Sequence, residues 1–373
     1  MKILHVIPNL FKGGAQRLVI DICNEISKKD SLECKILVLN TSNSEFHYCS
    51  SALDITYCSV SFKLSIFKKN QINIDSYENF IDEFKPDVIH SHLYFSELVC
   101  HENPRSNVKY VSHLHSNRSE FKSKKLLNFF CKKTYFEIFE NKRLLKKYKK
   151  CNKNFISISS DTYKFFSKEM PQNTHDLIAL PNAINLSRFK LLNKTFSDKK
   201  IKLITVGSLV AKKNQIFLVD VVNYIKNKNY DVHLKIIGDG LEREKIQNRI
   251  LELNLTENIK LSGKQDLIEE ELKQADFYVH SATYEPFGLV ILEAMASRLA
   301  VVTLNGSGNN DIIDNGINGF ILNENNYKKF GEIVINLFSK PSEYIKMVKK
   351  GYESALKYDI PVYVNKLLKI YKS

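Results

Sequence analysis

The chain has 373 residues, of which 43% are hydrophobic, and a formal net charge of +14. This length is enough for two domains with separate cores, and the composition is that of a soluble globular protein, which excludes a disordered or membrane-embedded chain. The positive charge predicts an anionic partner, which is a nucleic acid, an acidic membrane surface or a phosphorylated substrate.

Cysteine usage and the apolar runs indicate a cytoplasmic protein. The seven cysteines are odd in number and form no Cys-x-x-Cys pair, which argues against a disulfide framework and against a zinc site. No apolar run has the length of a membrane span. The first apolar run, residues 1–7, is too short for the core of a secretory signal, so we interpret it as a strand.

The beginning of the chain predicts a β-α-β unit. A strand at 3–7 is followed by a loop with Gly13 and Gly14, by a helix with apolar residues at helical spacing, and by a second strand at 34–39. This order is typical of a parallel doubly wound sheet. The two glycines would let a ligand approach the backbone closely, although a plain strand-to-helix turn explains them equally well.

Three further strands, predicted at 87–90, 110–115 and 154–159, end in polar residues. Ligands bind at the carboxyl ends of the strands in such sheets. The polar residues at these ends are His90, His92, His113, His115 and Ser159. A metal site is one interpretation, but no acidic residue lies among them and the two histidine pairs lie on different strands. We favour a single working histidine, His115, which ends its strand before a polar turn that contains Arg118.

Residues 121–151 form a basic segment in which lysines and arginines are interleaved with aromatic and aliphatic residues. Such a helix suits the surface of an anionic membrane, whereas an ordinary amphipathic helix with a solvated basic face is the commoner structure. Both interpretations stay open. No nucleic-acid-binding motif accompanies the charge, so we do not expect a nucleic-acid partner.

The second half of the chain starts the β-α pattern again. The polar stretch 191–200 is the best candidate for a domain boundary, and a strand at 201–206 follows it. Lys213 lies in the loop after this strand, just before a helix, where a cation would meet a phosphate group. Farther along, the short strand and turn at 259–264 offer backbone groups that could hold a flat base.

The stretch 284–296 indicates function most strongly. It follows a buried strand at 275–280 and becomes a helix from Gly288 onward. The backbone N–H groups of residues 287–290 are therefore unpaired at the positive end of the helix dipole. Such a helix start is a binding site for anions, phosphate above all.

Two carboxylates flank this predicted anion site. Glu285 stands just ahead of the helix, and Glu293 lies more than one turn into it. A carboxylate beside a phosphate is favourable only if it accepts hydrogen bonds from other groups, and sugar hydroxyls are good donors. A nucleotide sugar supplies both the diphosphate and the hydroxyls. The alternative, a helix cap at Glu285 and a solvated Glu293, explains each residue alone but not the pair.

Together these residues resemble those of the retaining glycosyltransferases of the GT-B fold, in the family 4 group whose members build bacterial polysaccharides. The resemblance covers nearly the whole chain, and its most specific part is the family's Glu-x7-Glu motif, matched by Glu285-Pro286-Phe287-Gly288 with Glu293. The supporting matches are Gly13-Gly14, His115, the Pro-Asn-Ala-Ile-Asn stretch at 181–185, and Gly207 with Lys213.

The resemblance implies an α/β fold of two Rossmann-like, doubly wound domains that face each other across a cleft. Residues 1–190, joined by the last helix at 357–373, would form the acceptor-binding domain. Residues 191–356 would form the nucleotide-sugar-binding domain. The last helix would cross back to the first domain.

The resemblance also implies roles for individual residues. The catalytic residues would be His115, Glu285 and Lys213, with Lys213 on the diphosphate and Glu293 on the ribose hydroxyls. The donor would be bound by Gly14, Gly207, Ser208, Lys213, Gly263, Lys264, Glu285, Phe287, Gly288, Leu289 and Glu293. The acceptor side would consist of Gly13, Gly14, His115 and Arg118.

The implied reaction is a metal-independent transfer with retention of configuration, without a cofactor. A sugar would move from a nucleotide sugar, expected to be a UDP-sugar, to a lipid-linked glycan of capsule, O-antigen or lipopolysaccharide. The sequence contains no Asp-x-Asp pair, which agrees with a metal-free mechanism. The protein would be cytoplasmic and peripheral on the inner face of the plasma membrane, with residues 121–151 as the contact surface.

Three positions depart from the family pattern. Ser208 stands where the family usually has arginine, which weakens the hold on the diphosphate unless Lys212 or Lys264 supplies the charge. Arg298 and Ala300 stand where glycine and proline are usual. These departures bear on donor affinity rather than on the fold.

Two alternative functions are compatible with the same fold. A nucleotide-sugar epimerase or hydrolase would have no use for the basic aromatic segment, which disfavours it. A non-catalytic nucleotide-sugar-binding protein is suggested by Ser208 but disfavoured by the presence of Lys213, Glu285 and Glu293.

Overall fold

The chain forms two compact units, each built on a parallel sheet with helices on its faces. The first unit consists of Met1–Ala183 with Ile360–Ser373, and the second of Ile184–Asp359. The computed structural model describes residues 1–40, 53–65, 70–118, 132–189 and 200–373. The predicted α/β, doubly wound fold is confirmed in both units.

Fifteen strands and twelve helices lie within the described residues. The strands are β1 (Lys2–Ile7), β2 (Glu33–Val38), β3 (Asp54–Tyr57), β4 (Ser61–Lys63), β5 (Gln71–Asn73), β6 (Val88–His92), β7 (Lys109–Leu114), β8 (Asn152–Ser157), β9 (Leu177–Ala179), β10 (Ile201–Val206), β11 (Val232–Ile237), β12 (Ile259–Leu261), β13 (Phe277–His280), β14 (Ala300–Leu304) and β15 (Phe320–Leu322). The helices are α1 (Gly14–Ile26), α2 (Asp75–Phe84), α3 (Leu93–Cys100), α4 (Lys132–Tyr148), α5 (Ser160–Glu169), α6 (Ile216–Asn227), α7 (Arg243–Glu252), α8 (Ile268–Leu272), α9 (Leu289–Ala296), α10 (Tyr327–Phe338), α11 (Pro341–Ala355) and α12 (Ile360–Lys372).

The sheet of the first unit has the order β3-β2-β1-β6-β7-β8-β9, and β4 pairs with β5 separately. All pairings in the seven-stranded sheet are parallel. The direction of winding reverses between β1 and β6. The carboxyl ends of these two strands therefore form the switch point at which doubly wound sheets bind ligands.

The sheet of the second unit has the order β12-β11-β10-β13-β14-β15, again with parallel pairings. Here the winding reverses between β10 and β13. The loops that follow these two strands lie at the second switch point. Lys213 follows β10 and Glu285 follows β13 in the sequence.

Burial on both sheet faces explains the apolar strands. In β1, Ile3, Leu4 and Val6 are all fully buried, although successive residues point to opposite faces. Helix α1 contributes Leu18 and Ile22, four positions apart on one side of the helix, to a core that α12 completes. The last helix of the chain thus belongs to the first unit.

The chain passes from the first unit to the second at residues 183–184, earlier than the polar stretch expected at 191–200. The backbone N–H of Leu186 donates to Oδ1 of Asp359 at 3.2 Å, a contact within the second unit. This segment is thus bonded to the end of the second unit. Residues 190–199 lie outside the described residues, and the functional roles of the two units stay a prediction.

Candidate active site

The carboxyl edge of the second sheet brings Lys213, Glu285 and His280 together. Lys213 ends a 3-10 turn after β10, and Glu285 lies in the loop between β13 and α9. The Lys213 ammonium forms an ion pair with the Glu285 carboxylate, and Nε2 of His280 lies 3.1 Å from Oε2 of the same carboxylate. The three side chains are 18%, 11% and 3% exposed, respectively. We call this group the Lys213–Glu285–His280 cluster.

The carboxylate of this cluster stays charged at neutral pH. Burial raises the pKa of Glu285, but the nearby imidazole of His280 and the charge of Lys213 outweigh burial and lower that pKa to about 2. Burial lowers the pKa of His280, so its imidazole is neutral. The other ring nitrogen of His280, Nδ1, lies 3.2 Å from the Tyr278 hydroxyl. Glu285 is therefore an ionised acceptor for ligand hydroxyls.

A glycine-rich loop after β14 holds the loop that carries Glu285. The N–H of Glu285 donates to the Gly306 carbonyl at 2.7 Å, and the N–H of Gly308 donates to the Glu285 carbonyl at 3.0 Å. A Cβ atom at Gly308 would lie 2.0 Å from the Pro286 carbonyl oxygen, so this close approach requires glycine. No local sequence pattern indicates this role, because it depends on contacts between residues that are distant in the sequence.

The start of α9 offers backbone donors, as predicted for an anion site. Gly288 precedes the helix with φ of 104°, a left-handed conformation that favours glycine. The N–H of Ile291 bonds to the Gly288 carbonyl at 2.9 Å, whereas the N–H groups of Leu289 and Val290 lie at the helix end, where no intrahelical acceptor exists. The Phe287 side chain is buried, so its backbone is the part that can reach a ligand.

Glu293 has an arginine partner that the sequence analysis missed. Nη1 of Arg188 lies 3.8 Å from Oε1 of Glu293, and Nη2 lies 2.8 Å from Oε2 of Glu269. Arg188 thus bridges two half-buried carboxylates in the second unit. No local pattern predicts this pairing, since Glu269 lies 81 positions farther along the chain.

The other residues of the second unit that are predicted to bind the donor lie at the same edge of the sheet. Gly207 and Ser208 directly follow β10, and Gly263 and Lys264 follow β12. A Cβ atom at Gly238 would lie 1.9 Å from the Gly207 carbonyl oxygen, so these two turns pack backbone against backbone. The N–H of Gly238 also donates to the Gly263 carbonyl at 2.8 Å. Backbone groups of these turns therefore line the carboxyl edge of the second sheet beside the Lys213–Glu285–His280 cluster.

In the first unit, Gly13 and Gly14 lie at the start of α1. Gly13 is the N-cap, with an extended backbone, and Gly14 is the first helical residue. A Cβ atom at Gly13 would lie 2.6 Å from Oε1 of Gln16, which is the end of a flexible side chain. The turn itself therefore does not demand glycine at 13, and the predicted ligand role of both glycines stays a prediction.

His115 directly follows β7 and is half-buried. Its Nε2 lies 3.1 Å from Nδ1 of His92. Burial, aided by His113 and Arg118, lowers the pKa of His115 well below its usual range. A neutral imidazole can form a hydrogen bond with a substrate hydroxyl but adds no charge to the site.

Arg118 is held by an internal ion pair. Its guanidinium pairs with the carboxylate of Glu97, which also accepts a hydrogen bond from the Tyr148 hydroxyl, and it lies 5.3 Å from the centre of the Tyr94 ring. Arg118 and Glu97 are only 6% and 1% exposed. This pair braces the turn after β7 that follows His115. A direct contact of Arg118 with an acceptor stays a prediction.

The basic segment, residues 121–151, is described only from α4 onward. In that part Leu144 is buried in the core of the first unit, and Arg143 and Lys147 form ion pairs with Glu102. One side of α4 is therefore a packed helix face, as the ordinary amphipathic interpretation predicts. In the part of the chain that the structure describes, no helix has the length and apolar character needed to cross a membrane.

Two known protein families match the chain, and the two matched regions meet at residue 188. The family described as Glycosyltransferase Family 4 matches residues 12–188. The family described as Glycosyl transferases group 1 matches residues 188–354, which include the Lys213–Glu285–His280 cluster. The two matches together span nearly the whole chain.

The chain is 28% identical over 168 residues to a poly(glycerol-phosphate) alpha-glucosyltransferase of Bacillus subtilis. The aligned region is 45% of this chain but only 25% of that protein. It is 24% identical over 336 residues to the capsular polysaccharide biosynthesis glycosyltransferase CapH of Staphylococcus aureus, or 84% of this chain and 83% of CapH.

Among solved structures, the crystal structure of Anabaena HepE in complex with UDP-glucose is similar over 100% of this chain and 99% of HepE. The TM-score is 0.80 at 16% sequence identity. At this identity the similarity establishes a shared fold.

Proposed function

Since the chain belongs to the glycosyltransferases of group 1 and family 4, which have the GT-B fold, we propose that it transfers a sugar from a UDP-sugar to a hydroxyl of a lipid-linked glycan, with retention. The observation that carries the proposal is the Lys213–Glu285–His280 cluster just ahead of α9. A cation, backbone donors and an ionised carboxylate meet there at the ligand-binding edge of a doubly wound sheet.

The cluster suits the two halves of a nucleotide sugar. The Lys213 ammonium and the N–H groups at the start of α9 are matched to a diphosphate. The ionised carboxylate of Glu285 is matched to sugar hydroxyls, and we assign Glu293 to the ribose hydroxyls. Arg188 lies beside Glu293 and offsets its charge, which lowers its repulsion of the diphosphate.

The proposed reaction breaks the bond between the anomeric carbon and the diphosphate oxygen. The acceptor hydroxyl attacks the anomeric carbon from the same face, and its proton passes to the departing phosphate oxygen. Lys213 and the α9 dipole stabilise the negative charge of the leaving group. Glu285 holds the sugar through its hydroxyls, and we assign His115 of the first unit to a hydrogen bond with a substrate hydroxyl.

Two similar proteins support the proposed UDP-sugar donor and glycan acceptor. HepE has been crystallised with UDP-glucose, and CapH is named for capsular polysaccharide biosynthesis. The net charge of +14 and the basic residues of 121–151 support contact with an anionic membrane that carries a lipid-linked acceptor. We therefore place the protein at the inner face of the plasma membrane.

The proposal is tested by incubating the protein with UDP-, GDP- and ADP-sugars and a panel of lipid-linked saccharides. We expect release of UDP that depends on the acceptor, and a product whose anomeric configuration, read from proton NMR, equals that of the donor. Release of free sugar without acceptor would indicate a hydrolase, and interconversion of UDP-sugars an epimerase. Glu293→Gln should lower the rate, whereas Glu257→Gln, at an exposed position of the second unit, should not.

A further inference from the structure

Five histidines of the first unit lie together on one face of its sheet, on three adjacent strands and just past the carboxyl end of one of them. They are His5 on β1, His90 and His92 on β6, and His113 and His115 on and after β7. In the strand register His5 lies opposite His90, and His92 lies opposite His113. Four of the five are fully buried, and only His115, at the end, is partly exposed. We call these five residues the histidine cluster.

A continuous chain of hydrogen bonds runs through this cluster to the last helix. Nε2 of His115 lies 3.1 Å from Nδ1 of His92, whose Nε2 lies 2.9 Å from Nδ1 of His5. Nε2 of His5 lies 3.3 Å from the hydroxyl of Tyr371 on α12. That hydroxyl lies 2.6 Å from Nδ1 of His90. The chain therefore links a predicted site residue to a helix at the other end of the sequence.

Burial keeps the imidazoles of this chain neutral. It lowers the pKa of His5 to about 3 and the pKa values of His90, His92 and His115 well below the usual range. A neutral imidazole has one N–H and one bare nitrogen. The tautomer of each ring therefore determines the tautomer of the next. The buried Tyr371 hydroxyl has one hydrogen, and only two arrangements of the whole chain satisfy every link and also use that hydrogen.

The free nitrogen of His90 decides between these two arrangements. Nε2 of His90 is buried and has no hydrogen-bond partner within the described residues. If Tyr371 donated to His90, this nitrogen would carry an unpaired buried N–H. If His90 donates to Tyr371 instead, the unpaired atom is a bare nitrogen, and buried unpaired acceptors are tolerated better than buried unpaired N–H groups. The second arrangement is therefore favoured.

In that arrangement each donor points toward the partly exposed end. Tyr371 donates to Nε2 of His5, His5 donates from Nδ1 to His92, and His92 donates from Nδ1 to Nε2 of His115. Nε2 of His115 is then an acceptor, and its proton is on Nδ1. The ring of His113, parallel to that of His115 with centroids 4.2 Å apart, holds the plane of the imidazole.

We propose that this hydrogen-bonded chain holds His115 in the Nδ1–H tautomer, so that His115 donates a hydrogen bond from Nδ1 to a substrate oxygen during transfer. His92, His5 and Tyr371 are then positioning residues, because they act through His115 and do not touch the substrate. The proposal rests on the role of His115 in the proposed function.

A metal site is the competing interpretation of the same histidines. Two sets of three nitrogens, from His5, His90 and His92 and from His92, His113 and His115, each lie within 4.8 Å of one another. Their closest pairs, at 2.9 and 3.1 Å, have hydrogen-bond distances. Neither of these sets contains a thiolate or carboxylate to offset a buried dication. His5 also forms a third set with Cys23 and Cys34, but burial raises the pKa of the Cys23 thiol well above its usual range, which disfavours the thiolate that a metal requires. Both observations favour the hydrogen-bonded chain.

The test is NMR of the whole protein labelled with 15N in its histidines, which reports the protonated nitrogen of each ring and needs no substrate. We expect Nδ1–H for His115 in the unmodified protein. His92→Phe keeps a flat ring but removes both hydrogen bonds, so His115 should revert to the Nε2–H tautomer that histidine prefers in water. His113→Phe, the same change at the register partner outside the chain, should leave the tautomer unchanged.

The expected functional result for His92→Phe is a kcat about tenfold lower, with KM for the UDP-sugar within about twofold. An Nε2–H tautomer of His115 in the unmodified protein would overturn the proposal, as would saturable zinc binding that shifts the His5 and His92 signals. The predicted tautomer with an unchanged kcat for His92→Phe would overturn the positioning role and leave the proposed glycosyl transfer standing. Failure of transfer with every donor would instead refute the proposed function, whatever the tautomer.

Discussion

Lys213→Ala is expected to lower kcat for sugar transfer by about 10²- to 10³-fold, because it removes the cation assigned to the departing diphosphate. The same change leaves the buried carboxylate of Glu285 with His280 as its remaining partner in the cluster. The loss should appear mainly in kcat, since negative charge on the leaving group grows toward the transition state. Initial rates of UDP release, measured with a lipid-linked acceptor, provide the value.

Lys235→Ala is a matched control for this prediction. Lys235 lies on β11 and forms a comparable half-buried ion pair with Glu271, at 2.6 Å, in the same unit. We expect its kcat to stay within about twofold of the unmodified protein. Similar losses in the two variants would mean that Lys213 acts through the stability of the unit rather than on the leaving group.

Glu97→Gln is expected to have the largest effect on stability, a loss of about 3–5 kcal/mol in the free energy of unfolding of the first unit. The change leaves the charge of Arg118 buried without its counter-ion, and it weakens the acceptor of the Tyr148 hydroxyl. Because Arg118 lies in the turn after β7, we also expect the local structure around His115 to loosen. Urea unfolding followed by circular dichroism measures the loss.

Glu102→Gln provides the comparison for that experiment. Glu102 also pairs with basic residues, Arg143 and Lys147, but these side chains are 24% and 22% exposed. Solvent screens these pairs more than the fully buried pair of Arg118, so the expected loss is smaller, about 1–2 kcal/mol. If the two glutamine variants unfolded at the same urea concentration, the buried pair of Arg118 would contribute no more to the free energy of unfolding than the pairs of Glu102.

The fold could be predicted because its signals are local. The fully apolar β1 and the helical spacing of Leu18 and Ile22 in α1 follow from burial on both sheet faces and on one helix face. The change of unit at 183–184 could not be predicted in this way, since the segment that begins the second unit makes contacts far apart in the sequence, such as the hydrogen bond between Leu186 and Asp359, 173 positions apart.

The site was predicted in part. The sequence pointed to Lys213 and Glu285, which the structure brings into contact although they lie 72 positions apart. His280 was missed, yet a polar residue at the end of a buried strand was a usable signal, the same one that singled out His115. The partnership of Tyr371 with His90 spans 281 positions, and no local pattern predicts such a contact.

Calorimetric titration of the whole protein with UDP tests the central claim, that the Lys213–Glu285–His280 cluster and the start of α9 bind a nucleoside diphosphate. We expect saturable binding at one site, and an affinity at least about tenfold lower in Lys213→Ala, since a charged contact to the diphosphate is lost. Lys235→Ala should bind UDP like the unmodified protein. If UDP, GDP and ADP all failed to bind, or if Lys213→Ala bound UDP with unchanged affinity, the cluster would not be a diphosphate site.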